Sequence, residues 1–293
     1  MVPSASPWMA AWFECFKFHS DYDPLEENTL KIAVSGKGGV GKTTLSAFLV
    51  KWFAEQGKNV LAVDADPDAN LANGLGIRNT GEIVPIAKMK ELVAERTESV
   101  PGSFGGFFRM NPKVDDLPEK LAIRSGDRIR LMVMGGVKKG GMGCVCPESI
   151  LLKNLVQHLI LRRDDVVIMD MEAGIEHLGR GTSQSVDCLL VVVEPGRRSL
   201  ETAAKIKELA ADIGLSRIAL VGNKVRGEKD RQFLLDNMAE YRFLGFIPYD
   251  EQIIEADLKG EFAENMTAET RKALEEIGNN VSGMSAAGPP SSL

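Results

Sequence analysis

Four cysteines in 293 residues are too few for a disulfide framework, which removes the stapled secreted scaffolds from consideration. No apolar run reaches the length needed to cross a bilayer. The first 28 residues lack the basic start and continuous apolar core of a secretory leader, so a cytoplasmic location is expected. Internal repeats are missing too. There is no excess of positive charge: 35 Lys and Arg stand against 41 Asp and Glu, a formal net charge of -6. That balance argues against a broad face for nucleic-acid backbones, and no nucleic-acid partner is expected. What the chain does have is 44% apolar residues, enough for a substantial core in one large catalytic domain.

The densest local signal is Gly36-Lys37-Gly38-Gly39-Val40-Gly41-Lys42-Thr43-Thr44. Strand-like residues 30–35 lead into it, and apolar residues at helical spacing follow from Thr44 to Ala54. Glycines let the successive N–H groups of Gly38, Gly39, Val40 and Gly41 face phosphate oxygens, and the following helix offers them its positive end. Lys42 is expected to reach the β- and γ-phosphates, and the Thr43 hydroxyl to ligate Mg²⁺, with Thr44 beside it in the binding set. The full match between a strand and a helix identifies an ATPase phosphate loop, with ATP or ADP and Mg²⁺ as cofactors. Lys37 sets this loop apart from the ordinary version, because a loop that needs only tight turns gains nothing from a lysine there.

Residues 59–63 read as a buried strand ending at Asp64-Ala65-Asp66, and acidic groups at the end of a parallel strand sit where open α/β sheets bind ligands. Another apolar strand, 165–169, ends at Asp170, the carboxylate of a Walker B position that holds the Mg²⁺ shell opposite Thr43. The segment 171–182 is polar and glycine-punctuated, as suits a moving switch in which the Gly174 N–H meets the γ-phosphate. Further strands at 129–134, 187–193, 217–221 and 243–246 alternate with helices at 199–213, 230–241 and 266–277. The expected fold is therefore α/β: a P-loop NTPase with a mostly parallel sheet covered by helices on both faces. Residues 1–28 form an extension, 29–278 the ATPase domain and 279–293 a disordered tail. In the extension, Trp8, Met9, Trp12, Phe13 and Phe16 suit an apolar helix face for a partner or membrane, beside the simpler reading of a disordered leader. The long stretch 76–128 predicts one helix, 85–95, and a Gly- and Phe-rich loop at 101–110, without assigned chemistry.

Cys144 and Cys146 lie at the end of a glycine-rich run, 135–143, that is too open to pack as core. Two thiols one residue apart can face one ion, yet they supply half of a tetrahedral set. A twofold axis beside the loop would bring the other half from a second copy. Pro147 suits the first turn of a following helix, whose positive end favours thiolates. Soft sulfur ligands accept Zn²⁺, Cu⁺, Ni²⁺ or an iron–sulfur cluster, and spacing does not choose among them; a redox or buried pair is the alternative. Cys188 reads as core, and Cys15 has no paired neighbour.

In Lys37 the loop resembles the deviant Walker A family of dimeric ATPases that includes the division-positioning and chromosome-partitioning ATPases and the nitrogenase iron protein. The resemblance implies a homodimer in which Lys37 reaches the partner's phosphates, Asp66 positions the attacking water, and Asp64 lies nearer the Mg²⁺ shell. It also implies that Asn223, with Lys224, reads the adenine edge and that the backbone at Pro248 flanks the base. Taken with 141–147 and 170–182, the chain from about 30 to 278 looks like the accessory ATPases that assist nickel insertion into carbon monoxide dehydrogenase or acetyl-CoA synthase. That implies Ni²⁺ held by Cys144 and Cys146 of two subunits, with Zn²⁺ able to occupy the same thiolates, and a nickel–iron–sulfur enzyme as recipient. Many relatives carry proline where this chain has Glu172. The difference leaves Glu172, Glu176 and His177 as candidates for metal or partner contact beside a plain structural role. An iron–sulfur electron-transfer ATPase and a nucleotide-switched positioning ATPase are the alternatives, although the tail offers no amphipathic membrane helix and membrane attachment is not expected.

Overall fold

The computed structural model describes residues 29–99, 107–135, 146–161, 166–172, 178 and 186–284. Cys144, Gly174, Glu176, His177, the extension 1–28 and most of the tail lie outside the described residues.

In chain order the elements are β1 (Leu30–Gly36), α1 (Lys42–Glu55), β2 (Val60–Ala65), α2 (Leu71–Gly74), α3 (Lys90–Thr97), α4 (Leu117–Leu121), β3 (Ile123–Ser125), β4 (Ile129–Val133) and α5 (Pro147–Leu161). There follow β5 (Val166–Met171), β6 (Cys188–Val193), α6 (Arg197–Ile213), β7 (Ile218–Val225), α7 (Glu228–Asn237), β8 (Arg242–Pro248), α8 (Glu251–Lys259) and α9 (Ala268–Ser282). The eight strands lie in the order β3-β4-β2-β5-β1-β6-β7-β8, all parallel except the edge strand β3.

Because successive strand residues point to opposite faces, near-continuous apolar strands require cover on both sides. Ile32 and Val34 of β1, Leu190 and Val192 of β6, and Ala219 and Val221 of β7 meet Leu45, Leu49 and Trp52 of α1 and Leu274, Ile277 and Val281 of α9. Their neighbours Ala33, Leu189, Val191 and Leu220 turn the other way, onto Leu151 and Leu155 of α5, Ile206 of α6 and Leu234 of α7. The expected two-faced parallel sheet is thus the observed one. Every parallel strand ends at the same edge, so the phosphate loop, Asp64, Asp170 and the Asn223-Lys224 pair gather there.

Several boundaries differ from the pattern reading. Asp170 lies inside β5 rather than after it, and Asn223 and Lys224 lie inside β7, because pairing with neighbouring strands carries the ladder past the apolar run. The helix expected at 230–241 is α7 and ends at Asn237. The helix expected at 85–95 divides into a 3-10 turn, Ile86–Lys88, and α3, because Met89 adopts a non-helical backbone between them. Strand β3 was not anticipated: three residues carry no period. Helix α9 continues to Ser282, and Val281 is fully buried, so the packed domain extends four residues past the boundary expected at 278.

Leu190 sits at the sheet centre with no exposed surface. Leu190→Ala is expected to cost about 2–5 kcal/mol, seen as a lower urea midpoint with an unchanged slope of stability against urea.

Candidate nucleotide site

The loop between β1 and α1 is shaped by positions that accept only glycine. Gly41 has φ +98°, and a Cβ there would collide with the Asn223 amide. A Cβ on Gly36 would come within 2.6 Å of the Val192 carbonyl of the neighbouring strand. Gly38 and Gly39 by contrast have open space on the side where a Cβ would project. Helix α1 begins with no side-chain cap and no acidic residue in its first turn. Its leading N–H groups therefore remain available to an anion, and the fit to phosphate is that of a helix terminus bordered by glycines.

Lys42 is buried, with Nζ 3.7 Å from Asp66 Oδ2. The Thr43 hydroxyl donates to Asp170 Oδ2 at 2.6 Å, and Ser46 Oγ lies 3.4 Å from Asp170 Oδ1. Asp64 stands directly opposite Asp170 in the β2–β5 register. Its Oδ2 accepts the Leu71 N–H at the start of α2 at 2.8 Å, and its Oδ1 accepts the Asp66 N–H at 3.3 Å. The structure thus brings Lys42, Thr43, Asp64, Asp66 and Asp170 into one cluster. Burial pushes Asp64 up to about 7, with the Asp170 charge adding to the rise and the two amide donors opposing it. Burial also raises Asp170 to about 6, against the Thr43 hydrogen bond and Lys42. An all-oxygen set of hydroxyl and carboxylates beside an anion cradle fits Mg²⁺, which commonly takes one or two protein ligands and completes its shell with phosphate and water.

Asn223 does more than the sequence suggested. Its Nδ2 donates to the Val40 carbonyl at 2.7 Å, and its Oδ1 accepts the Lys224 N–H, so it clamps the phosphate loop to β7. Lys224 has φ +57° at a register irregularity between β7 and β8, and its Nζ returns to the Gly39 carbonyl at 2.6 Å. Pro248 ends β8, and Arg226 lies over the ring of the following Tyr249. Glu194, which the sequence did not single out, accepts from Lys37 Nζ at 3.1 Å. Glu172 gives its carbonyl to the buried Ser35 hydroxyl at 2.9 Å and leaves its side chain exposed.

Cys146 is half-buried immediately before α5, with Sγ 3.1 Å from Ser149 Oγ. Pro147 occupies the first position of that helix, as expected. Among the described residues, no three His, Cys, Asp or Glu side chains are grouped to hold a metal ion. Cys188 is core, and burial pushes its thiol up to about 12.

Residues 31–263 match the family described as the CobQ/CobB/MinD/ParA nucleotide binding domain. The chain belongs to this family. It is a P-loop ATPase, with ATP or ADP and Mg²⁺ as the ligands typical of the group. An uncharacterized ATP-binding protein of Methanocaldococcus jannaschii is 46% identical over 255 residues, covering 86% of this chain and 97% of that one. The carbon monoxide dehydrogenase accessory protein CooC of Rhodospirillum rubrum is 46% identical over 233 residues, covering 79% of this chain and 88% of its own. Among solved structures, the cell division ATPase MinD of Pyrococcus furiosus superposes with a TM-score of 0.62 at 22% identity, covering 87% and 99% of the two chains. That likeness concerns the fold. Among the described residues of this ATPase, no helix is long and apolar enough to cross a membrane.

In the metal- and nucleotide-free protein, burial makes Asp64 hold its proton more tightly than in the unfolded chain, where it has the ordinary carboxylate value of 3.8. Its contribution to stability is complete below about pH 4 and fades as pH rises through about 7. Denaturant unfolding between pH 5 and 8 should therefore show stability falling with pH, and Asp64→Asn should flatten the upper part of that fall. Stability rising across the same window would contradict the assignment.

Proposed function

We propose that this ATPase is a nucleotide-driven switch with nickel as cargo, and that two copies hold the ion at Cys144 and Cys146 for delivery to a nickel–iron–sulfur enzyme in the cytoplasm. The observation that carries the reading is the position of Cys146. It stands at the start of α5, on the connection that leaves β4 at the same sheet edge as the phosphate loop. The 46% identity to a carbon monoxide dehydrogenase accessory protein supports the same cargo and the same class of recipient.

In this reading Thr43 and Asp170 would hold Mg²⁺, with Asp64 behind them, and the ion would neutralise charge on the phosphate oxygens. Lys42, now 3.7 Å from Asp66, turns its charge to those oxygens when ATP enters. That leaves Asp66 to orient water toward the γ-phosphorus and accept its proton as the bond to the β–γ bridging oxygen breaks. Lys37 of each copy contacts the partner's phosphates, so ATP closes a dimer. Closure brings the two cysteine loops together and sets four thiolates around one ion. Loss of the γ-phosphate frees Gly174, and the change passes along the segment that begins at Glu172, whose carbonyl Ser35 anchors. Asn223 and the Pro248 backbone border the base.

A second reading, a nucleotide-switched positioning or binding ATPase without metal cargo, draws on the solved structures of similar fold. These include a MinC:MinD cell division complex of Aquifex aeolicus, with a TM-score of 0.60 at 21% identity. Anaerobic nickel titration of the metal-free protein separates the two, with oligomer mass followed in ADP and in a non-hydrolysable ATP analogue. The nickel reading predicts one tightly held ion per dimer, sensitive to nucleotide and lost in a Cys144→Ser/Cys146→Ser double variant. Nickel binding unchanged by that double substitution would remove the cysteine site and favour the second reading.

A further inference from the structure

The carboxylate of Glu194 lies where β6 gives way to the turn into α6, and it serves two lysines at once. Oε1 accepts from Lys37 Nζ at 3.1 Å, and Oε2 lies 3.5 Å from Lys224 Nζ. Glu194 is itself held in place, since its backbone N–H donates to the buried Ser199 hydroxyl at 3.0 Å. Strand β6 is the direct neighbour of β1, with Val192 opposite Gly36, so the carboxylate is carried to the head of the phosphate loop by the sheet itself. The two lysines are not equivalent. Lys224 keeps a second acceptor, the Gly39 carbonyl at 2.6 Å, whereas among the described residues the Lys37 ammonium has Glu194 alone.

We propose that Glu194 is a positioning residue that latches Lys37 in the single chain, holding its ammonium within its own subunit until the phosphates of a second, ATP-loaded copy replace the carboxylate. The inference rests on the reading that Lys37 acts across the dimer. No bond is made or broken: one charged acceptor is exchanged for another. Phosphate oxygens carry more charge than a carboxylate, so ATP in the partner wins the exchange, and the latch holds when the partner offers less phosphate charge. The pair is partly exposed, with 36% and 25% of the two side chains accessible, so each latch is weak and salt-sensitive. A weak latch is what a reversible switch needs, because a deeply buried pair would be too costly to open.

The test is sedimentation velocity over a range of protein concentrations with Mg²⁺ and a non-hydrolysable ATP analogue, repeated with ADP. Glu194→Gln removes the charge and keeps the shape. Two latches open per dimer, so the apparent dimer Kd in the analogue should fall about fivefold to tenfold. In a Lys37→Ala background, Glu194→Gln should bring no gain. Equal or weaker dimerisation of Glu194→Gln overturns the latch, as does a gain that persists without Lys37. Glu194→Ala provides the same comparison if the glutamine variant does not fold. Unimpaired analogue-driven dimerisation of Lys37→Ala alone would instead sink the underlying reading of Lys37, which makes the two failures distinguishable.

Discussion

Asp64 and Asp170 face each other across adjacent parallel strands, both without exposed surface, and two buried carboxylates in register demand positive charge nearby. Much of the surrounding edge meets that demand. Lys42 enters from the helix start, amide donors at Asp66 and Leu71 surround Asp64, and the Thr43 hydroxyl turns its proton toward Asp170. The arrangement is poised for a divalent cation, and phosphates that bring one complete the neutralisation.

The phosphate loop sits within a wider set of lysine contacts. Lys42 pairs with Asp66, Lys37 with Glu194, and Lys224 with Glu194 and the Gly39 carbonyl. Each of these partners is weaker in charge than a triphosphate, so a nucleotide enters by redistributing existing pairs. Asn223 keeps the loop's shape through the exchange, because its bond to the Val40 carbonyl is buried and links two elements 183 residues apart in sequence. In the proposed cycle this redistribution of charge leaves the phosphate loop in place while the segment that begins at Glu172 responds.

The phosphate loop was legible in the sequence because its determinants are local: glycines where side chains would collide, and a helix start directly after them. The sheet was legible because strands covered on both faces are continuously apolar. What pattern reading missed was made by pairing. Asp170 and Asn223 fall inside strands because neighbouring ladders extend there, and β3 exists as a strand because β4 supplies an antiparallel partner. Glu194 drew no notice because its meaning comes from β6 lying beside β1, a juxtaposition across more than 150 residues. Lys224 could be flagged by its place beside Asn223, but its bond to Gly39 depends on the irregular pairing of β7 and β8. Cys144 and Gly174 were singled out by composition and fall outside the described residues.

In the proposed cycle the nucleotide site and the cysteine loop are coupled through one switch, and thermodynamic linkage makes that coupling reciprocal. The most direct measurement is the affinity of a fluorescent non-hydrolysable ATP analogue for the nickel-free and the nickel-loaded protein, at one fixed concentration of subunits. Bound nickel should change analogue affinity by a factor clearly different from one, which linkage then requires the analogue to return on nickel affinity. Identical analogue affinities with and without bound nickel, while nickel remains at the cysteines, would contradict it.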